Sequence, residues 1–240
     1  MEQKLAPINI ENQSIDYITA MLKGVAGVTP IAGGLLAELI GTVIPNQRID
    51  RMAKFLKALE AKINNLEVDY VKAQLNREDF ADLLEEAARQ ATHSLSDERR
   101  GYIANIIANS LSLHEIECIE SKQLLGMLNE LNDIEIIWLR YYLPRYSQGD
   151  EEFRNAHEEI LAPIHMTNSD PPSNIEKLAL QRSYKEHLSR LNLINPRYST
   201  DSKTKLPEYD KSSGRQILKS YEITSLGKLL LKHIGLSAPN

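Results

Sequence analysis

The amino-acid sequence predicts a mainly α-helical protein, an amino-terminal helical bundle followed by a smaller carboxy-terminal unit in which two short strands join the helices. Three observations predict it. Apolar residues recur at three- and four-residue intervals through the first 130 positions. No strand-like alternation occurs before residue 190. Capping and helix-stopping residues stand where each apolar run begins and ends.

Taken in order, Ser14 is the expected N-cap of a short helix carrying Ile15, Ile18, Leu22 and Val25 on one side. A turn around Gly27 follows, and Thr29–Pro30 has the form of a cap with proline at the first helical position. That helix is expected to run from Pro30 to Ile44, with Pro45–Asn46 stopping it. Next comes the most regular pattern in the chain. Ile49, Met52, Leu56, Leu59, Ile63, Leu66 and Tyr70 are spaced alternately three and four residues apart, a heptad seam along one long helix. The seam must be buried, either within the chain or in a homo-oligomer. Asn76 is read as the cap of a helix with Phe80, Leu83, Leu84, Ala87, Ala88 and Ala91 on its apolar face. Ser96–Asp97–Glu98 opens another helix, with Ile103, Ile106, Ile107 and Leu111, its acids placed where the helix dipole favours them. Ile116, Ile119 and Leu124–Leu128 mark the next.

The pattern changes near residue 130, so the expected domains are 1–130 and 131–240. Asn132–Asp133–Ile134–Glu135 reads as a cap and first turn, and a second helix is expected over about Glu151–Leu161. Ser173–Asn174–Ile175–Glu176 has capping-box form and starts a helix reaching Leu191. Leu193–Ile194 and Tyr221–Glu222–Ile223 are strand candidates around a polar stretch, and Thr224 caps a final helix that Gly235 ends.

Composition is that of an ordinary globular protein, 42% hydrophobic and 25% charged, which excludes intrinsic disorder as its general state. The single cysteine, Cys118, has no intramolecular partner and sits among isoleucines, as a buried structural thiol would. No basic stretch with an apolar run and a cleavage site opens the chain, so a cytoplasmic location is expected. The net charge of −5 is unevenly spread: residues 181–240 hold 11 Lys and Arg against 5 Asp and Glu, and the remainder is acidic. Such a tail either meets an anionic partner such as nucleic acid or balances the body as a solvated face. No phosphate-cradling glycine loop occurs, the six histidines lack metal-ligand spacing, and the paired carboxylates face different ways on their helices. No catalytic residues, metal or cofactor are therefore expected.

Helix, helix, helix, strand, polar loop, strand, helix is the order of a winged helix-turn-helix. The runs His187–Leu188–Ser189–Arg190–Leu191–Asn192–Leu193–Ile194 and Tyr221–Glu222–Ile223–Thr224–Ser225–Leu226–Gly227 resemble the ending of bacterial winged-helix proteins. That resemblance implies DNA or protein binding. For DNA, Lys177, Gln181, Arg182, Lys185 and Arg190 would face the major groove, with Arg197, Lys203, Lys205, Lys211 and Arg215 on phosphates.

Gly24 to Ala37 carries no charge and four glycines, and Gly33, Ala37 and Gly41 form a small-residue ladder every fourth position. With Gly24 and Gly27 it makes either a tightly packed helical hairpin or one that lies on an anionic membrane. Glu38 and Pro45 exclude a constitutive spanning helix. This pattern, together with the Thr224–Ser225–Leu226–Gly227 ending, resembles bacterial abortive-infection proteins of the Abi-alpha type, and is loosely similar to membrane-permeabilising helical domains of cell-death effectors. The resemblance implies a non-enzymatic phage-defence effector working through self-association, another protein or a membrane. The alternative is a DNA-binding transcriptional regulator.

Overall fold

The computed structural model describes residues 49–111, 115–144, 148–164 and 172–236. These residues are mainly helical, with one small two-stranded sheet. The expected helices before residue 48 lie outside them. The chain divides into two compact units between Gly126 and Met127.

The first unit holds α1 (Ile49–Ile63), α2 (Val68–Leu75), α3 (Glu78–His93), α4 (Asp97–Ser110) and most of α5 (Glu115–Glu130). Helix α1 packs on α3 and α4, α3 on α4, and α2 on α3. Met52, Leu56, Leu59 and Ile63 are buried within this single chain, as are Phe80, Leu83, Leu84, Ile103, Ile106 and Ile107. The heptad seam therefore closes on helices of its own unit rather than presenting a face to a second copy. The helix is also shorter than its sequence pattern. It ends at Ile63, whose carbonyl accepts the Leu66 N–H at 2.9 Å, and Glu67 is extended (φ −66°, ψ 136°) before α2 begins. Asn64 and Asn65 supply the reason, because their side chains compete for backbone groups and favour a turn. Leu66 is left half-buried, and Tyr70 falls on α2, where its hydroxyl donates to the Leu111 carbonyl.

Two expected details need correcting in this unit. Asn76 is the C-cap of α2, not the N-cap of α3; Arg77 stands there instead, its guanidinium paired with Asp79 at 2.7 Å. Ile119 is exposed, because α5 turns Cys118, Ser121, Leu125 and Leu128 inward. Ser96 caps α4 as expected, accepting the Arg99 N–H at 3.1 Å.

The second unit contains α6 (Asp133–Tyr141), α7 (Gln148–Ala156), α8 (Glu158–Leu161), α9 (Pro172–Arg190), β1 (Ile194–Tyr198), β2 (Leu218–Ile223) and α10 (Ser225–His233). Asn132 and Glu135 form the reciprocal capping box at the start of α6, each side chain bonded to the other's backbone N–H at 2.9 Å. The single helix expected over 151–161 is two, because His157 leaves helical geometry (φ −118°, ψ 21°). Helix α9 begins one residue earlier than expected, with Pro172 in its first turn, where a missing N–H costs nothing. It closes with Asn192 in the left-handed region (φ 58°) and the Leu193 N–H reaching back to the Leu188 carbonyl at 2.9 Å. Strands β1 and β2 pair antiparallel, Ile194 opposite Ile223.

Helix α10 approaches β1 unusually closely. The Thr224 Oγ1 accepts the Gly227 N–H at 3.0 Å and donates to the Asn192 carbonyl at 2.8 Å. A Cβ on Gly227 would overlap the Leu193 carbonyl oxygen and lie 2.9 Å from Cγ1 of Ile223. Leu230, Leu231 and Ile234 then enter a core with Leu139, Leu188, Leu193 and Ile194, whereas Leu229 is exposed.

Candidate nucleic-acid interface

The polar stretch between β1 and β2 is ordered by its own chemistry. Asp201 Oδ1 accepts the backbone N–H groups of Lys203 at 2.9 Å and Thr204 at 2.6 Å. Nine residues later, Asp210 Oδ1 accepts those of Ser212 at 2.9 Å and Ser213 at 2.7 Å. In both turns the fifth residue adopts the left-handed conformation, Lys205 at φ 59° and Gly214 at φ 65°, and its N–H returns to the aspartate carbonyl. The stretch is thus two consecutive copies of one aspartate-capped turn.

A closed ring of backbone bonds holds the copies together. Ser199 donates to Ile217, Ile217 to Glu208, and Glu208 to Ser199, at 2.8, 3.0 and 3.0 Å. These three residues are also nine apart. Bridges Thr200–Pro207 and Tyr209–Gln216 complete a small meander that projects from β1 and β2. The ring supplies partners for backbone groups that a long free loop would leave to water.

Electrostatics follow from the turns. The hydroxyl of Ser212, then the N–H and hydroxyl of Ser213, hold the Asp210 carboxyl at a pKa of about 2. Asp201 is lowered chiefly by the Thr204 N–H and hydroxyl. Both carboxylates point into their own turns, while Lys203, Lys205, Lys211 and Arg215 are exposed and make no ion pair among the described residues. Arg197 differs, since its Nε pairs with Glu222 at 2.8 Å in an exposed pair.

Helix α9 brings less to such a surface than its sequence suggests. Lys177, Arg182 and Arg190 are exposed, but Glu176 and Glu186 stand among them. Lys185 is a correction: its Nζ lies 4.1 Å from the centre of the Trp138 ring, and burial there, then Arg182, lowers its pKa. A desolvated ammonium over an indole is held by cation–π attraction inside the unit rather than offered to a ligand. Gln181 is also engaged, donating to the Ile160 and Ala162 carbonyls at 3.2 and 3.0 Å.

Further along α9, Nδ1 of His187 donates to Oε1 of buried Glu135 at 2.7 Å, the same carboxylate that completes the capping box. The pair lines an open cleft of about 460 Å³ together with Ser183 and Arg190. It ties the start of α6 to the end of α9. Sequence reasoning missed it, because the partners are 52 residues apart. The repeated Asp201 and Asp210 were the legible signal for the paired turns.

Gly24, Gly27, Gly33, Ala37 and Gly41 lie outside the described residues, and Ile49 lies in α1 with its side-chain surroundings outside them. Among the described residues no helix is long and apolar enough to cross a membrane, and no three His, Cys, Asp or Glu side chains are grouped to hold a metal ion. No family model, curated protein or solved structure matches this chain.

Proposed function

We propose that this chain is a non-enzymatic nucleic-acid-binding protein whose carboxy-terminal unit acts as a winged helix, with the paired-turn meander as the wing. One observation carries the reading: two hydrogen-bonded, aspartate-capped turns hold four cations, Lys203, Lys205, Lys211 and Arg215, exposed and without an ion pair among the described residues, on a basic carboxy-terminal segment. Pre-ordered cations lose little entropy when they meet phosphates, and phosphate contacts position a protein without reading sequence. The order α6, α7–α8, α9, β1, wing, β2, α10 supports the winged-helix assignment. The defence role implied by the Abi-alpha resemblance is compatible with such a module as a sensing arm. Its membrane element rests on the sequence pattern of residues 24–41 alone.

Fluorescence anisotropy of labelled duplex and single-stranded oligonucleotides against salt tests the proposal. Four phosphate contacts give a slope of log affinity against log salt of about −3 to −4. Lys203→Glu with Lys211→Glu is expected to weaken binding at least about tenfold and flatten the slope by about 2. Lys57→Glu with Lys62→Glu, exposed on α1 of the other unit, is expected to leave both unchanged. Absence of binding at ~50 mM salt, or equal loss in both variants, would sink the idea.

A further inference from the structure

The wing carries more than charge. Directly opposed residues of an antiparallel pair share a face, and side chains alternate along each segment. Tyr198 stands opposite Leu218, Thr200 opposite Pro207, and Tyr209 opposite Gln216. Alternation therefore places Tyr198 with Thr200, Pro207 with Tyr209, and Gln216 with Leu218 on one common face. None of these six is charged. The other side of the meander holds Ser199, Glu208 and Ile217, the residues of the backbone ring.

This face is open. Tyr209 is 55% exposed, Leu218 46% and Tyr198 44%. Neither tyrosine stacks on another ring among the described residues, unlike Tyr141, Tyr142 and Tyr221, which are engaged around Trp138. Tyr198 stands on the β1–β2 pair and Tyr209 on the Tyr209–Gln216 bridge, on either side of the backbone ring. Two exposed phenol rings on that face, beside turns that carry lysines, combine stacking surfaces with counter-charges for phosphate. That is the arrangement that holds unpaired bases, because every base has a face to stack and the backbone follows the cations. A base-paired duplex offers no free base face to the tyrosines. A lipid surface is poorly matched, since Thr200 and Gln216 interrupt the apolar area.

We infer that the Tyr198–Tyr209 face of the wing binds unpaired nucleotides, making this chain a single-strand binder with Lys203, Lys205, Lys211 and Arg215 tracking the phosphates. The inference rests on the nucleic-acid reading above and narrows its substrate. Neither tyrosine is buried, so their variants should keep the fold, which circular dichroism checks.

The test compares a labelled thymidine oligomer of about twelve nucleotides, an abasic phosphodiester of equal length, a duplex and phosphatidylserine vesicles, all with the full chain. The thymidine oligomer is expected to bind at least about tenfold tighter than the abasic strand. Tyr198→Ala with Tyr209→Ala should reduce it to the abasic level, whereas Tyr198→Phe with Tyr209→Phe should retain the preference, because stacking needs the ring and not the hydroxyl. Equal binding of the thymidine and abasic strands, with the salt slope intact, overturns the base-stacking face and leaves the phosphate reading standing. No binding of any polyanion overturns both. Binding of vesicles that the alanine pair abolishes, without preference for bases, overturns the inference in favour of a lipid surface.

Discussion

At position 227 a single methyl group would collide with backbone. The Leu193 carbonyl oxygen cannot rotate away as a side chain would, because it also accepts the Thr224 N–H at 3.0 Å. Gly227→Ala is therefore expected to cost about 3 kcal/mol or more, at the upper end of overpacking, and chemical denaturation followed by circular dichroism measures it. Asp210 makes a prediction of a different kind. Its folded carboxyl titrates at about 2, against 3.8 for the ordinary group, because the Ser212 and Ser213 donors favour the charged form. A depressed carboxylate pKa contributes stability that is complete above the ordinary value and is lost as the pH falls through the folded one. The second turn is thus expected to hold at neutral pH and loosen between 3.8 and about 2, read from the amide signals of Ser212 and Ser213 in nuclear magnetic resonance. Asp210→Asn should remove most of that dependence.

Helix α1 shows how an element's role depends on what surrounds it. A seam of three-and-four spacing is equally suited to a partner in the same chain or in another. Here Leu56 is buried against the helices of its own unit. Leu56→Asp would leave a charge in that core without a counter-ion, so the expected result is an unfolded first unit, with lost helical ellipticity, rather than a dimer converted to folded monomers. Light scattering beside circular dichroism separates the two. The polar stretch between β1 and β2 shows the same dependence on context. Its length and polarity read as one loose loop, yet two aspartates nine residues apart and a ring of three backbone bonds make it a compact meander.

Over the whole molecule, charge is segregated along the chain: basic residues concentrate after residue 180 while the preceding body is acidic. The proposed polyanion contact is therefore expected to draw on the carboxy-terminal segment. That is the reason the Lys57 and Lys62 reversals serve as the control for Lys203 and Lys211. Reversing lysines that take no part in the proposed contacts should not change the number of counterions released there.

What the sequence determined by itself is what depends on neighbours within a turn or two. The apolar faces of α1, α3 and α4, the Ser96 and Thr224 caps, the Asn132–Glu135 box and the buried Cys118 follow from side chains competing for nearby backbone groups or facing one side of a helix, while the strands run further into the polar stretch than Leu193–Ile194 and Tyr221–Ile223. Tertiary structure decided the rest. It closed the α1 seam inside the unit, placed Lys185 on Trp138, and joined His187 to Glu135. It also left Tyr198 and Tyr209 exposed beside the cations of the segment between β1 and β2. Each of these pairs residues whose separation along the chain says nothing about their distance in space. The mainly helical fold was legible in local periodicity, but the surface that motivates a function exists only once distant segments have met.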